Sequence, residues 1–148
     1  MIKREKTDTI VIHCSATPPT MDIGVEKIRE WHVDDNGWDD VGYHHVITRS
    51  GVLQKARPEE MQGSHARAVN GTSLGICLVG GSNSNGDWEN NFQDEQFVTL
   101  KALLLNLIKK YEIKKIIGHY QVDSRKECPS FKVPDWLEQE NLGEYIQV

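Results

Sequence analysis

The sequence predicts an α/β fold, a central mixed β-sheet flanked by helices, and three observations carry that expectation. Short apolar runs recur at residues 8–13, 73–79 and 114–118, each too brief for a helix and each reading as a buried strand. A long amphipathic pattern stands between the second and third runs. A hairpin pattern occupies residues 44–55. Strands and helices alternate irregularly, so the sheet should mix parallel and antiparallel pairs. A length of 148 residues argues for one domain, 1–148. Roughly two-thirds of the unfolded chain's surface can be buried at that size, enough for a core without disulfide staples.

The elements follow in order. Thr9-Ile10-Val11-Ile12 runs into His13 as a strand, and Thr17-Pro18-Pro19-Thr20 breaks it. Val25, Ile28 and Trp31 recur every three residues, which predicts a helix from about 24 to 35, ended by Asn36-Gly37. His44 to Arg49, the turn Ser50-Gly51, and Val52 to Lys55 read as a hairpin. Residues 56–72 form a loop long enough to suggest function. Ser73 to Val79 is a second buried strand closed by Gly80-Gly81, and residues 82–91 are a polar surface loop. Phe97, Leu100, Leu104, Leu107, Ile108 and Tyr111 share one face of the clearest helix. Lys114 to Gly118 is the next strand. Pro134 then fits the first turn of a short last helix.

Composition narrows the function classes. Apolar residues make up 38% and charged residues 26%, which favours an ordered domain over disorder. A net charge of -5 argues against a nucleic-acid footprint, which is normally basic. Lys109, Lys110, Lys114 and Lys115 suit the C-terminal end of the long helix instead. Three cysteines, with no Cys-x-x-Cys, make no disulfide framework. No stretch approaches the ~20 apolar residues of a membrane span, and the apolar run after the charged N-terminus is too short for a signal peptide. Synthesis in a cytoplasm is therefore expected.

Three residues could carry chemistry together. His13 ends one strand run, His119 ends another, and Cys128 follows in a charged loop beside Pro129. Two imidazoles and a thiolate suit zinc, and three protein ligands leave the open position of a catalytic site. If the three meet in space, the chain is a metallohydrolase. The plain alternative is that each histidine is a hydrogen-bonded polar residue, and no His-Glu-x-x-His motif decides the matter. A thiol enzyme pairing Cys128 with a histidine is another alternative.

The chain resembles the type-2 N-acetylmuramoyl-L-alanine amidases, above all the small bacteriophage lysozymes of amidase type, and more distantly the peptidoglycan recognition proteins. The resemblance covers nearly the whole chain. It rests on Ile12-His13-Cys14-Ser15-Ala16-Thr17, Ile28-Arg29-x-Trp31-His32, Val41-Gly42-Tyr43-His44, Gly63-Ser64-His65-Ala66 with Asn70, Ser73 to Gly81, and Gly118-His119 through Cys128-Pro129-Ser130-Phe131. It implies a recognition-protein-like fold. It also implies one zinc ion on His13, His119 and Cys128, with Tyr43 and Lys126 assisting catalysis. The implied reaction is hydrolysis of the amide between N-acetylmuramic acid and L-alanine in bacterial peptidoglycan, serving host lysis. The segment between His119 and Cys128 reads one residue longer than in close phage members, which makes Arg125 a competing cation.

His65, Asn70 and His44 are the candidate substrate contacts. His65 reads either as a structural loop histidine or as a wall of the cleft, and its neighbours Gly63, Ser64 and Asn70 favour the cleft. His44 and His45 point to opposite faces of a strand, so at most one faces the site. His32 and Trp31 read as core residues, and Trp88 as a loop residue near substrate. No carboxylate stands out as general base. The rivals to catalysis are a non-catalytic peptidoglycan-binding module and a regulator of a single-subunit phage RNA polymerase, the latter compatible with amidase activity. A monomer is expected, with no membrane or direct nucleic-acid partner, reaching the wall after release by another protein.

Overall fold

β1 (Thr9–Cys14) is the axis of the molecule, buried at every position. The computed structural model describes residues 1–147. β1 lies between two parallel neighbours, β4 (Ser73–Leu78) and β5 (Lys115–Gly118). β2 (His45–Ile47) joins β4 in parallel, and β3 (Leu53–Lys55) pairs antiparallel with β2 at the edge. The strand order is β3-β2-β4-β1-β5. One antiparallel hairpin on a parallel sheet is the mixed architecture that the sequence predicts.

Alternation along the strands sorts the two faces. Ile10, Ile12, Leu74, Ile76, Leu78, Ile47 and Ile116 form one core with the helices α2 (Asp94–Lys110) and α3 (Val133–Gln139). Val11, Ala66 and Ile117 pack on the opposite face. Val46, Cys77 and Val79 belong to that face too, joined by Ile28 and Trp31 from α1 (Val25–Arg29) and its extension. Burying both faces explains why β1, β4 and β5 read as continuous apolar runs.

α2 starts where Gln96 turns back to accept the Gln93 N–H at 2.9 Å. The Gln96 amide also donates to the carbonyls of Ile47 and Val79, closing the ends of β2 and β4. Asp94 and Glu95 open the helix and Lys109 and Lys110 end it, matching the helix dipole. The helix expected at 24–35 is present, but its second half, Glu30–Asp35, is wound as a π-helix. The Asn36 N–H donates to the Trp31 carbonyl, an i→i+5 bond that widens the turn. Among the described residues, no helix is long and apolar enough to cross a membrane.

Candidate metal centre and active site

The site stands at the C-terminal edge of the parallel strands, a favoured place for sites in α/β sheets. Ile12 of β1 is paired with Gly118 of β5, so the next residues in each chain, His13 and His119, emerge side by side. Their ring centroids are 4.5 Å apart. After His119 the chain makes a short 3₁₀ turn, His119–Gln121, and loops back. The Tyr120 N–H donates to the Cys128 carbonyl at 2.9 Å, which closes that loop. The return places the Cys128 sulfur against the end of β1, where the Cys14 N–H donates to it at 3.1 Å.

Nδ1 of His13 lies 4.0 Å from the Cys128 sulfur. The ligating atoms of His13, His119 and Cys128 all lie within 4.8 Å of one another, and this is the one such group of three among the described residues. Donors sharing a tetrahedral zinc ion stand roughly 3.5 Å apart, a gap that small side-chain rotations close. His13 is 1% exposed and Cys128 5%. Burial, with His65 and His119 alongside, holds His13 well below the usual imidazole range, so it offers a lone pair. Burial also lowers His119, reinforced by Lys126 and Arg125. The adjoining Cys14 thiol and burial push the Cys128 thiol up. A thiolate there calls for a cation, and the donor set of two neutral imidazoles and one thiol fits zinc.

A cavity of about 250 Å³ opens over these ligands, lined in part by Tyr43, His32, Trp38, Trp88, His65 and Lys126. Tyr43 packs its ring 5.1 Å from that of His13. Burial, with the thiols of Cys77, Cys128 and Cys14 nearby, raises its phenol well above the usual range and keeps it protonated. Lys126 lies at the cavity wall. Arg125 does not line the cavity; its guanidinium is held by Asp123, with Nε 3.0 Å from Oδ1. A larger groove of about 880 Å³ runs along α2 and α3, away from the ligands. Its size marks a surface feature, because the converging donor atoms lie elsewhere.

The expected substrate contacts need correction in part. His44 is 1% exposed and absent from the cavity wall. Its Nδ1 accepts the Gly75 N–H at 3.0 Å, and its Nε2 donates to the Met61 carbonyl at 2.7 Å. Both nitrogens are spent inside the protein, so His44 is structural. Asn70 uses its side-chain oxygen to accept the N–H groups of His65 and Ala66, shaping the loop from behind. His65 does line the cavity, yet its Nδ1 is 2.8 Å from His13 Nε2. His32, read from the sequence as a core residue, turns to the cavity and accepts the Gly42 N–H. His32 sits inside the π-wound stretch, where a 3.6-residue count no longer tracks the helix face. Trp38 carried no signal of its own and reaches the wall through its packing on His32.

Residues 3–131 match the family model for N-acetylmuramoyl-L-alanine amidase. The chain belongs to the N-acetylmuramoyl-L-alanine amidase family. It is 44% identical over 140 residues to the endolysin of Escherichia phage T7, covering 95% of this chain and 91% of the relative. The endolysin of Klebsiella phage KP32 shows the same identity and coverage. Among solved structures, the endolysin amidase LysCS from Clostridium intestinale URNW superposes with a TM-score of 0.77 at 30% identity, over 93% of this chain and 85% of that one. Peptidoglycan-recognition protein SA of Apis mellifera shares the fold, with a TM-score of 0.80 at 19% identity, over 100% of this chain and 90% of that one. The amidase is thus a peptidoglycan hydrolase of the endolysin kind, on the fold that the recognition proteins also use.

Proposed function

We propose that the amidase cuts the bond between N-acetylmuramic acid and L-alanine with one zinc ion held by His13, His119 and Cys128. The observation that carries this reading is the convergence of those three donor atoms at the mouth of a cavity. Zinc, when bound, would supply a Lewis acid and lower the pKa of water to about 7. The protein's own residues supply the rest. His13 and His119, both neutral, present lone pairs from rigid strand ends. Cys128 supplies the soft anionic donor, and the Cys14 N–H pointing at its sulfur favours the thiolate.

Lys126 carries a positive charge at the cavity wall, where the scissile carbonyl oxygen gains negative charge during attack. Tyr43 keeps its proton and acts as a hydrogen-bond donor that orients the attacking water or the carbonyl. Trp88 and Trp38 give the cavity apolar walls suited to a sugar ring or a peptide stem. The family resemblance further implies binding to a single-subunit phage RNA polymerase, for which a pull-down with the cognate polymerase is the test.

The deciding experiment measures L-alanine-linked peptides released from purified cell wall, alongside metal analysis of the same protein. Release that tracks zinc content supports the reading. Retained wall binding with no release by the zinc-loaded protein overturns it in favour of a binding module. Release that survives metal removal overturns it in favour of thiol chemistry at Cys128.

A further inference from the structure

We propose that His65 is a positioning residue that fixes the tautomer of His13 through a directed chain of hydrogen bonds ending at the Val69 carbonyl. The inference rests on the zinc reading above and assigns His65 a role other than substrate contact.

The proton positions follow from counting. The Ser73 hydroxyl has one hydrogen. Its oxygen lies 2.7 Å from the Val69 carbonyl and 3.4 Å from His65 Nε2. The shorter bond takes the hydrogen, because a carbonyl can only accept. The Ser73 oxygen then receives, so His65 Nε2 carries a proton. A neutral imidazole has one N–H, which leaves His65 Nδ1 as a bare acceptor. That nitrogen is 2.8 Å from His13 Nε2, so His13 Nε2 must donate. His13 Nδ1 is left with its lone pair, and it is this nitrogen that faces the Cys128 sulfur. Both rings are buried, where the neutral imidazole is favoured.

The surroundings hold His65 in that place. A side chain at Gly75 would stand 2.6 Å from His65 Cγ, and one at Gly63 would stand 2.6 Å from Cδ2. Two glycines therefore form the slot for the ring. Asn70 pins the His65 backbone from the other side. His44 packs edge-on to His65, with centroids 5.8 Å apart, and has no proton to spare. Partners of this kind orient a metal-binding histidine, and their loss typically costs roughly 10- to 100-fold in metal affinity.

The test compares zinc affinity in wild-type, His65→Phe and His65→Asn proteins, by competition with a chromophoric chelator. Phenylalanine fills the slot without an acceptor; asparagine restores an oxygen near the position of Nδ1. His65→Phe should lose roughly 10- to 100-fold in affinity and His65→Asn should recover most of it. Equal affinity for wild-type and His65→Phe, or equal losses in both variants, would overturn the proposal. A second measurement needs no variant. In zinc-loaded, ¹⁵N-labelled wild-type protein, a coupling across the hydrogen bond should link His13 Nε2 to His65 Nδ1, with the proton on His13 Nε2. A proton found on His13 Nδ1 overturns the proposal even if both variants fail to fold. Wild-type protein that binds no zinc overturns the metal centre itself, and this assignment with it.

Discussion

Cys128 meets the Cys14 amide and the His13 ring in a pocket that the two main cores do not need. Cys128→Ser should therefore lose zinc and activity together while melting cooperatively; metal analysis and the cell-wall assay check it, and near wild-type activity would reject Cys128 as a ligand. Lys126→Ala should keep its zinc and lose ~100- to 1,000-fold in kcat, the usual effect of removing one donor to a developing oxyanion. Arg125→Ala should leave kcat near wild-type, because Asp123 already occupies that guanidinium. A fall in kcat confined to the Arg125 variant would reverse the two roles. Some of this was legible in the sequence and some was not. His13 and His119 were visible because each ends a buried run, and parallel pairing then sets them side by side. The bond from His65 to His13 was not, because it joins residues 52 apart through a contact across the loop. His44 misled for a related reason: its carbonyl and amide partners, Met61 and Gly75, leave no trace in local spacing.

Between elements, the most informative contact outside the site is Glu59. Its carboxylate accepts from Lys110 at 2.6 Å and from Tyr111 at 2.7 Å, and lies 2.9 Å from His45 Nε2. One side chain thus ties the 56–72 loop to β2 and to the end of α2. Despite partial burial, these partners hold the Glu59 carboxyl at about 2, against an ordinary 4.5. A depressed carboxylate stabilises the fold above the unfolded-state value. That stability is complete above pH 4.5 and is lost as pH falls through about 2. Glu59→Gln should lower Tm by about 2–4 °C at neutral pH, and the difference should vanish near pH 2. Melting curves across that range check it; a constant difference at every pH would disprove the electrostatic account. The main elements were readable from sequence, β1, β4 and β5 as apolar runs, α2 by its period and β3 through the hairpin turn before it. The winding of Glu30–Asp35 was not, because a π turn and an α turn share the same residue types.

At the scale of the whole molecule, the two large cores lie on either face of the sheet and neither includes the three ligands as packing members. The fold should accordingly outlast its metal. Chelation should abolish wall cleavage and leave far-UV circular dichroism unchanged, and added zinc should restore cleavage. Loss of secondary structure on chelation would show that the ion holds the fold. The mixed sheet was predicted correctly because buried parallel strands and an edge hairpin have different sequence patterns. Their order was not read, since no local signal tells β1 to sit between β4 and β5.

That order has a consequence for when the enzyme comes alive. β1 leaves the ribosome well before either of its neighbours, which come from residues 73–78 and 115–118. Its last partner, the loop bearing Cys128, arrives later still. A nascent chain therefore carries only His13 of the three proposed ligands for most of its synthesis, with nothing to close the site. Pairing across such separations is slow and comes late in folding. Zinc capture during translation should thus wait for the Cys128 loop, and a product cut short before it would be released inert.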